Sequence, residues 1–223
     1  LLLVHLKDCI YIYMNQHLPI LITNARYEMG STLKMFNAAL AIENDSISSE
    51  DTFDVSKNYE LTKEYTVKDD IKMKEPIKFD KVFINSSNIG SIKVLEKVGI
   101  EKQKKFFYNL GFNEDLKLKG LSSINNSLPK DSDWNEVISK SISYGYGVSI
   151  TPLSLVTTFS TLVNGGYKIK PRILNKEQIF KKKILKSQTS KEINILLNQI
   201  VEFGTGKKAK VDGISVGGKT ATA

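Results

Sequence analysis

Ser31 and Lys34 are the residues whose types and spacing first suggest chemistry. They lie in the stretch GSTLKMFNAALAIEND, in which Leu33, Phe36, Ala39, Leu40 and Ile42 recur at near-helical spacing behind Gly30. Ser31 sits where that helix should begin, among unpaired N–H groups at the positive end of the helix dipole. Lys34 follows one turn later on the same face. A serine hydroxyl is a weak nucleophile until a base takes its proton, and a lysine in a crowded, cationic, partly buried site can be that base. The same spacing also describes an ordinary serine cap followed by a surface lysine. Ser127-Leu-Pro-Lys130 repeats it where Pro129 and polar neighbours indicate a loop.

Two further short motifs keep it company. Ser86-Ser87-Asn88 lies at a polar turn between the apolar lead KVFI and a helix along Ile89, Ile92, Leu95 and Val98. Lys219-Thr220 lies in a Gly-flanked, β-prone tail, GISVGGKTATA. Ser123-Ile124-Asn125, Lys140-Ser141 and Lys186-Ser187 imitate parts of these motifs elsewhere. It is the order and the local contexts that distinguish the first set.

The elements that must position them can be read in outline. Residues 1–22 are the most apolar stretch, read as buried strand or helix or as a damaged N-terminus. Lys7, Asp8, Asn15, Gln16 and His17 interrupt it too often for a membrane span. It also lacks the basic start and cleavage site of a signal peptide. Residues 44–80 are polar and charge-mixed, suiting short strands or an extended arm. A helix is predicted over 101–110 with Gly111 as its stop, a loop over 120–133, and a helix from Thr151-Pro152 to Asn164-Gly165-Gly166. YKIKPRIL reads as extended. Ser190 is predicted to cap a long helix, KEINILLNQIVEF, closed by Gly204. Helices alternating with sparse strands predict a mixed α/β domain with a mostly helical body.

Composition narrows the function classes. The 223 residues carry a net charge of +8, dispersed as lysine, with only Arg26 and Arg172 as arginines. No basic and aromatic ladder is present, so nucleic acid is not an expected partner. A single cysteine, Cys9, precludes an internal disulfide. His5 and His17 are the only histidines, both near the N-terminus. A histidine triad or zinc cage would have to be built from that end, and the His5–Cys9 spacing has no further ligand cluster behind it.

S-x-x-K, a Ser-x-Asn turn and K-T-G, in that order, form the signature of penicillin-binding proteins and serine β-lactamases. RYEMGSTLKMFNAALAIEN resembles the Y-E-x-G-S-T-x-K segment of class B penicillin-binding transpeptidases, especially the division-specific ones. INSSNIGSIKVLEKVG, GYGVSITPLSLVTTFSTLVNGG and VGGKTATA resemble their S-S-N helix, their G-x-G-x-x-x-T-P-L helix and their G-K-T-G-T-A strand. The resemblance covers residues 26–223, read as part of a transpeptidase domain, and leaves 1–25 as an unmatched apolar leader.

The resemblance implies a penicillin-binding transpeptidase or serine β-lactamase-like fold, a helical body packed on an antiparallel sheet, incomplete at both ends. It implies a peptidoglycan D,D-transpeptidase that cross-links stem peptides in septal wall synthesis through a serine acyl-enzyme. The alternatives are an inactive fragment of such an enzyme or a β-lactamase-like hydrolase. By resemblance, Ser31 is the nucleophile and Lys34 its base. Ser86 relays a proton to the leaving amine, and Asn88 bonds the Ser31–Lys34 pair and the substrate amide. Lys219 brings a cation to Ser86 and the substrate carboxylate, which Thr220 binds. The N–H groups of Ser31 and Thr222 form the oxyanion hole. No metal or cofactor is required. Implied partners are the D-Ala-D-Ala stem peptide, β-lactams and division-complex membrane proteins, at the periplasmic face of a bacterial inner membrane. Ala221 departs from the family's glycine, and by strand alternation it shares a face with Lys219. The chain also stops at Ala223 without the strands and helix that usually follow, so the 223 residues alone are expected to acylate poorly.

Overall fold

The structure is a computed structural model. It describes residues 3–6, 9–12, 19–48, 50–116, 118, 122–172 and 180–222, with side chains from residue 21 onward. Eight α-helices occur among the described residues: α1 (Pro19–Asn24), α2 (Lys34–Glu43), α3 (Phe79–Ile84), α4 (Asn88–Val98), α5 (Ile100–Leu110), α6 (Glu136–Tyr144), α7 (Pro152–Val163) and α8 (Ser187–Phe203). The strands are short and pair antiparallel: β1 (Leu3–Leu6) with β2 (Cys9–Ile12), β3 (Thr52–Phe53) with β6 (Ile77–Lys78), β4 (Tyr59–Glu60) with β5 (Thr66–Val67), and β7 (Tyr167–Ile169) with β8 (Lys181–Lys183).

The body is organised around α2. Every residue from Lys34 to Ala41 is buried, and α3 to α8 all touch this helix. A helix enclosed on all sides needs apolar residues all round, and small ones where neighbours come close. KMFNAALAIE supplies both. Ala38, Ala39 and Ala41 admit the surrounding helices, while Phe36 fills the centre, its ring 5.0 Å from Phe112 and 5.8 Å from Phe159, both edge-on. Burying a side chain of that size contributes about 1.5–3 kcal/mol. The position of Ser31 and Lys34 is therefore set by a helix that is buried almost throughout its length.

Local rules explain most helix ends. Thr151 accepts from Ser154 N–H at 3.1 Å and Pro152 opens α7, as its sequence predicts. Gly111, in the left-handed region at φ 95°, ends α5. Residues 44–80 form the arm of short strands β3 to β6, and the Lys181-Lys182-Lys183 run is the exposed strand β8.

Two expectations need correction, and two helices go beyond what the sequence predicts. Ser190 does not cap α8, which begins at Ser187. The cap comes from outside the helix: Glu43, at the end of α2, accepts from Lys186 N–H at 2.9 Å and from the Thr189 hydroxyl at 2.5 Å. Ser190 instead accepts from Gly165 N–H at 2.9 Å. Secondly, 214–222 forms no strand. The segment lies along α8, with Gly218 N–H donating to Leu197 O at 3.2 Å and Asn198 Nδ2 to Val216 O at 3.1 Å, and no strand flanks it among the described residues. Helix α6 has no counterpart in the sequence expectations. Asn135 caps it, accepting from Ile138 N–H at 3.0 Å. The apolar lead before Ser86 is the short helix α3. Gly120, Leu121, Ile173, Leu174 and Ala223, parts of the predicted loop, extended segment and tail, lie outside the described residues, as do the side chains of the 1–20 leader, His5 and Cys9 included.

Candidate active site

Ser31 lies in a single 3-10 turn, Gly30–Leu33, that leads directly into α2. Its hydroxyl caps nothing; it accepts from Lys34 Nζ at 2.9 Å. Lys34 is not a surface lysine, being 1% exposed. The cap-and-surface-lysine alternative is thereby excluded on both counts.

Three contacts hold the turn before Ser31. Tyr27 and Ile150 exchange backbone hydrogen bonds at 3.0 Å each way, and Glu28 accepts from Gly147 N–H at 2.9 Å. Gly145, at φ 127°, stacks backbone on backbone, so that a Cβ there would lie 2.4 Å from the Gly30 carbonyl group. Gly30 in turn, at φ 50°, faces Thr222, whose carbonyl oxygen would lie 2.2 Å from an added Cβ. The turn that carries Ser31 is thus clamped between the loop after α6 and the tail, at a separation only glycine permits.

The Ser86-Ser87-Asn88 turn is a helix stop and a helix start in three residues. Ser86 N–H donates to Phe83 O at 3.2 Å and Ser87 N–H to Val82 O at 2.8 Å, the two bonds of a Schellman motif closing α3. The motif puts Ser86 at φ 58°, where glycine is usual. A serine there costs about 1–2 kcal/mol, a strain that persists only where the surrounding structure enforces it. Ser87 then caps α4, accepting from Gly90 N–H at 2.8 Å. The left-handed kink aims both the carbonyl and the hydroxyl of Ser86 at Lys34, at 2.7 and 3.1 Å from Nζ.

Lys34 also donates to Asn88 Oδ1 at 2.6 Å. The orientation of that amide follows from its other end, where Nδ2 donates to Lys68 O at 2.8 Å. The Ser86 carbonyl and Asn88 Oδ1 accept only, so each must take an N–H of Lys34. A neutral amine has two N–H groups, and both are then used. Its lone pair is left for the hydroxyls of Ser31 and Ser86. Burial, and then the Lys219 cation, lower the Lys34 pKa from 10.5 to about 7, while Asp69 and Asp70 pull the other way. The neutral amine is accordingly available near neutrality.

Lys219 Nζ completes the group, donating to Ser86 Oγ at 2.8 Å and to Thr220 O at 2.8 Å. Burial lowers its pKa to about 8. Ser86 Oγ therefore bridges two lysines. The Thr220 hydroxyl donates to Thr205 Oγ1 at 2.9 Å, and Thr205, just past α8, donates its N–H to Ile84 O at 3.3 Å. The structure thus gathers Ser31, Lys34, Ser86, Asn88, Lys219 and Thr220, and sets the Thr222 backbone against the residue before Ser31. Ala221 is exposed. Ser127, the alternative serine, pairs with Ser149 through backbone bonds of 2.7 and 3.0 Å, away from this cluster.

Glu28, Asp69, Gly145 and Thr205 escape sequence reasoning based on motifs. Glu28 and Gly145 sit inside the quoted segments, beside a nucleophile and a turn. Asp69 and Thr205 lie in stretches read only as polar arm and helix end.

A constellation of serine, buried lysine and Ser-x-Asn turn can be compared with known proteins. Residues 13–223 match the family profile of the penicillin binding protein transpeptidase domain. The chain belongs to the penicillin-binding-protein transpeptidase family. It is 34% identical over 203 residues to the probable peptidoglycan D,D-transpeptidase FtsI of Caulobacter vibrioides, covering 88% of this chain and 34% of that protein. With stage V sporulation protein D of Bacillus subtilis it shares 30% identity over 227 residues, 94% of this chain and 34% of the relative. These relatives agree with the class B character expected from the sequence. The chain spans about a third of the length of both. The TP domain of Burkholderia pseudomallei penicillin-binding protein 3 superposes with a TM-score of 0.83 over 93% of this chain and 63% of that one, at 21% identity, and so shows the penicillin-binding transpeptidase fold.

Proposed function

We propose that this transpeptidase domain cross-links peptidoglycan stem peptides through an acyl-enzyme on Ser31. The observation that carries this reading is Lys34 Nζ, held at 2.7 Å from the Ser86 carbonyl, 2.6 Å from Asn88 Oδ1 and 2.9 Å from the Ser31 hydroxyl, so that a neutral amine spends its two N–H groups on the two obligate acceptors and keeps its lone pair for the hydroxyls. Lys34 takes the Ser31 proton as Oγ attacks the carbonyl of the penultimate D-alanine. The N–H groups of Ser31 and Thr222 receive the oxyanion; such donors are typically worth about 3–4 kcal/mol each. As the peptide bond breaks, the terminal D-alanine leaves as an amine, protonated by Ser86 Oγ, which recovers a proton through its bridge to Lys34 and Lys219. Lys219 and Thr220 bind the terminal carboxylate. The amine of a second stem peptide then attacks the ester, forms the cross-link and frees Ser31.

A septal role, division-complex membrane partners and a place at the periplasmic face of the inner membrane belong to the same proposal, in keeping with the resemblance to division-specific transpeptidases. Among the described residues no helix is long and apolar enough to cross a membrane.

A chromogenic cephalosporin mixed with the full-length protein tests the reaction class. A burst of one equivalent followed by very slow release is expected. Sustained turnover would indicate a hydrolase, and the absence of any burst an inactive remnant.

A further inference from the structure

One carboxylate on the arm grips the turn that carries half of this site. Asp69 Oδ1 accepts from Asn88 N–H at 2.6 Å and from Ile89 N–H at 3.0 Å, and Oδ2 accepts from the Ser87 hydroxyl at 2.5 Å. The residue before it, Lys68, takes the Asn88 side-chain amide on its carbonyl. Two consecutive arm residues therefore hold both the backbone and the side chain of Asn88. The contact spans 18 to 20 residues of sequence, from just past β5 to the first turn of α4. A carboxylate in that position also satisfies two N–H groups that have no partner within the helix and sits at the favourable end of its dipole.

We propose that Asp69 is a positioning residue for the general base: by clamping Ser87, Asn88 and Ile89 it fixes the Ser86 carbonyl and Asn88 Oδ1, the two acceptors that orient the Lys34 amine toward Ser31. The proposal rests on the transpeptidase reading above. Neither Asp69 oxygen bonds to Lys34, so the residue acts through the turn and through its charge. Six residues touch or face the Lys34 amine: Ser31, Ser86 and Asn88 by hydrogen bonds, and Lys219, Asp69 and Asp70 by their charges. Lys219 comes from the tail and the two aspartates from the arm. Removing the Asp69 charge leaves Lys219 opposed by Asp70 alone. The Lys34 ammonium is then less stable, and the amine stays neutral to lower pH.

The test is the rate of acylation by a fluorescent penicillin as a function of pH, in the full-length protein with Asp69→Asn and Asp69→Ala. Asparagine keeps one oxygen for the two N–H groups but removes the charge. Alanine removes both. Asp69→Ala should acylate on the order of 100-fold more slowly, the usual consequence of a displacement of about 1 Å. Asp69→Asn should lose much less at the optimum, and its acid limb should move to lower pH. A residue that merely stabilises the fold would slow both variants without moving the limb. That result, or an Asp69→Ala rate within about twofold of the parent protein, overturns the proposal. Wild-type protein that fails to acylate overturns the transpeptidase reading itself, and this inference falls with it.

Discussion

The two halves of the site are built differently. Ser31, Lys34, Ser86 and Asn88 sit at the start of a fully enclosed helix and on a turn fixed by a Schellman motif and the Asp69 clamp. Lys219, Thr220 and Thr222 sit on a segment with no strand beside it among the described residues, tied by Lys219 to Ser86, by Thr220 to Thr205 and by Gly218 to α8. In the proposed mechanism the first half handles the proton transfer, which tolerates little displacement. The second half, which is largely exposed, is proposed to meet the substrate. The difference teaches that the core supplies the geometry of the nucleophile and base, whereas the carboxylate and oxyanion contacts depend on a segment attached at a few points.

The strongest way to break this comparison is to remove the nucleophile. Ser31→Ala should abolish covalent labelling by penicillin, while Ser127→Ala should label normally, as read by gel fluorescence. Next in size is the glycine clamp. Gly145→Ala puts a methyl against the Gly30 backbone, and a displaced nucleophile should acylate on the order of 100-fold more slowly. Gly99, at φ 95°, is also in the positive-φ region but would place its Cβ in open space, so Gly99→Ala separates backbone strain from contact and should leave the rate nearly unchanged.

The pH profile sharpens the comparison. The base must be neutral, so acylation should fall as pH drops through about 7, the Lys34 value, by roughly tenfold per unit well below it. The cation that meets the carboxylate must stay charged, so the rate should fall again as pH rises through about 8, the Lys219 value. The optimum is expected between these values. Lys219→Met should erase the alkaline limb and move the acid limb to higher pH, because the Lys219 cation is one of the causes that lower the Lys34 pKa.

The smallest effect is expected from Ala221→Gly. Ala221 is exposed, and exposed substitutions usually change stability by no more than about 0.5 kcal/mol, so the rate should stay within about twofold. A larger gain would show that the methyl does crowd the catalytic lysine.

The nucleophile half was legible in the sequence because its requirements are local. Ser31 and Lys34 lie within one turn, and the Ser86-Ser87-Asn88 turn carries its own capping serine. What was not legible depends on contacts across the chain. The cap of α8 is Glu43 from another helix, not the nearby Ser190, and no local pattern announces it. The tail reads as a strand by composition, yet a strand requires a neighbour to pair with. Asp69 is one acidic residue in a charged arm until the arm folds onto α4. Helix α6 was missed because two of the four residues that it buries, Ser139 and Ser143, are serines rather than apolar residues.

The central claim, that Ser31 is acylated within this buried lysine site, is tested most directly by mass spectrometry of the penicillin-labelled full-length protein. Trypsin cuts after Arg26 and Lys34, releasing residues 27–34 as one peptide. A single penicilloyl adduct on that peptide, or on a longer one that spans it, is expected, with fragment ions placing it on Ser31. An adduct on the peptide containing Ser127, or a stoichiometric adduct anywhere outside residues 26–43, would contradict the account.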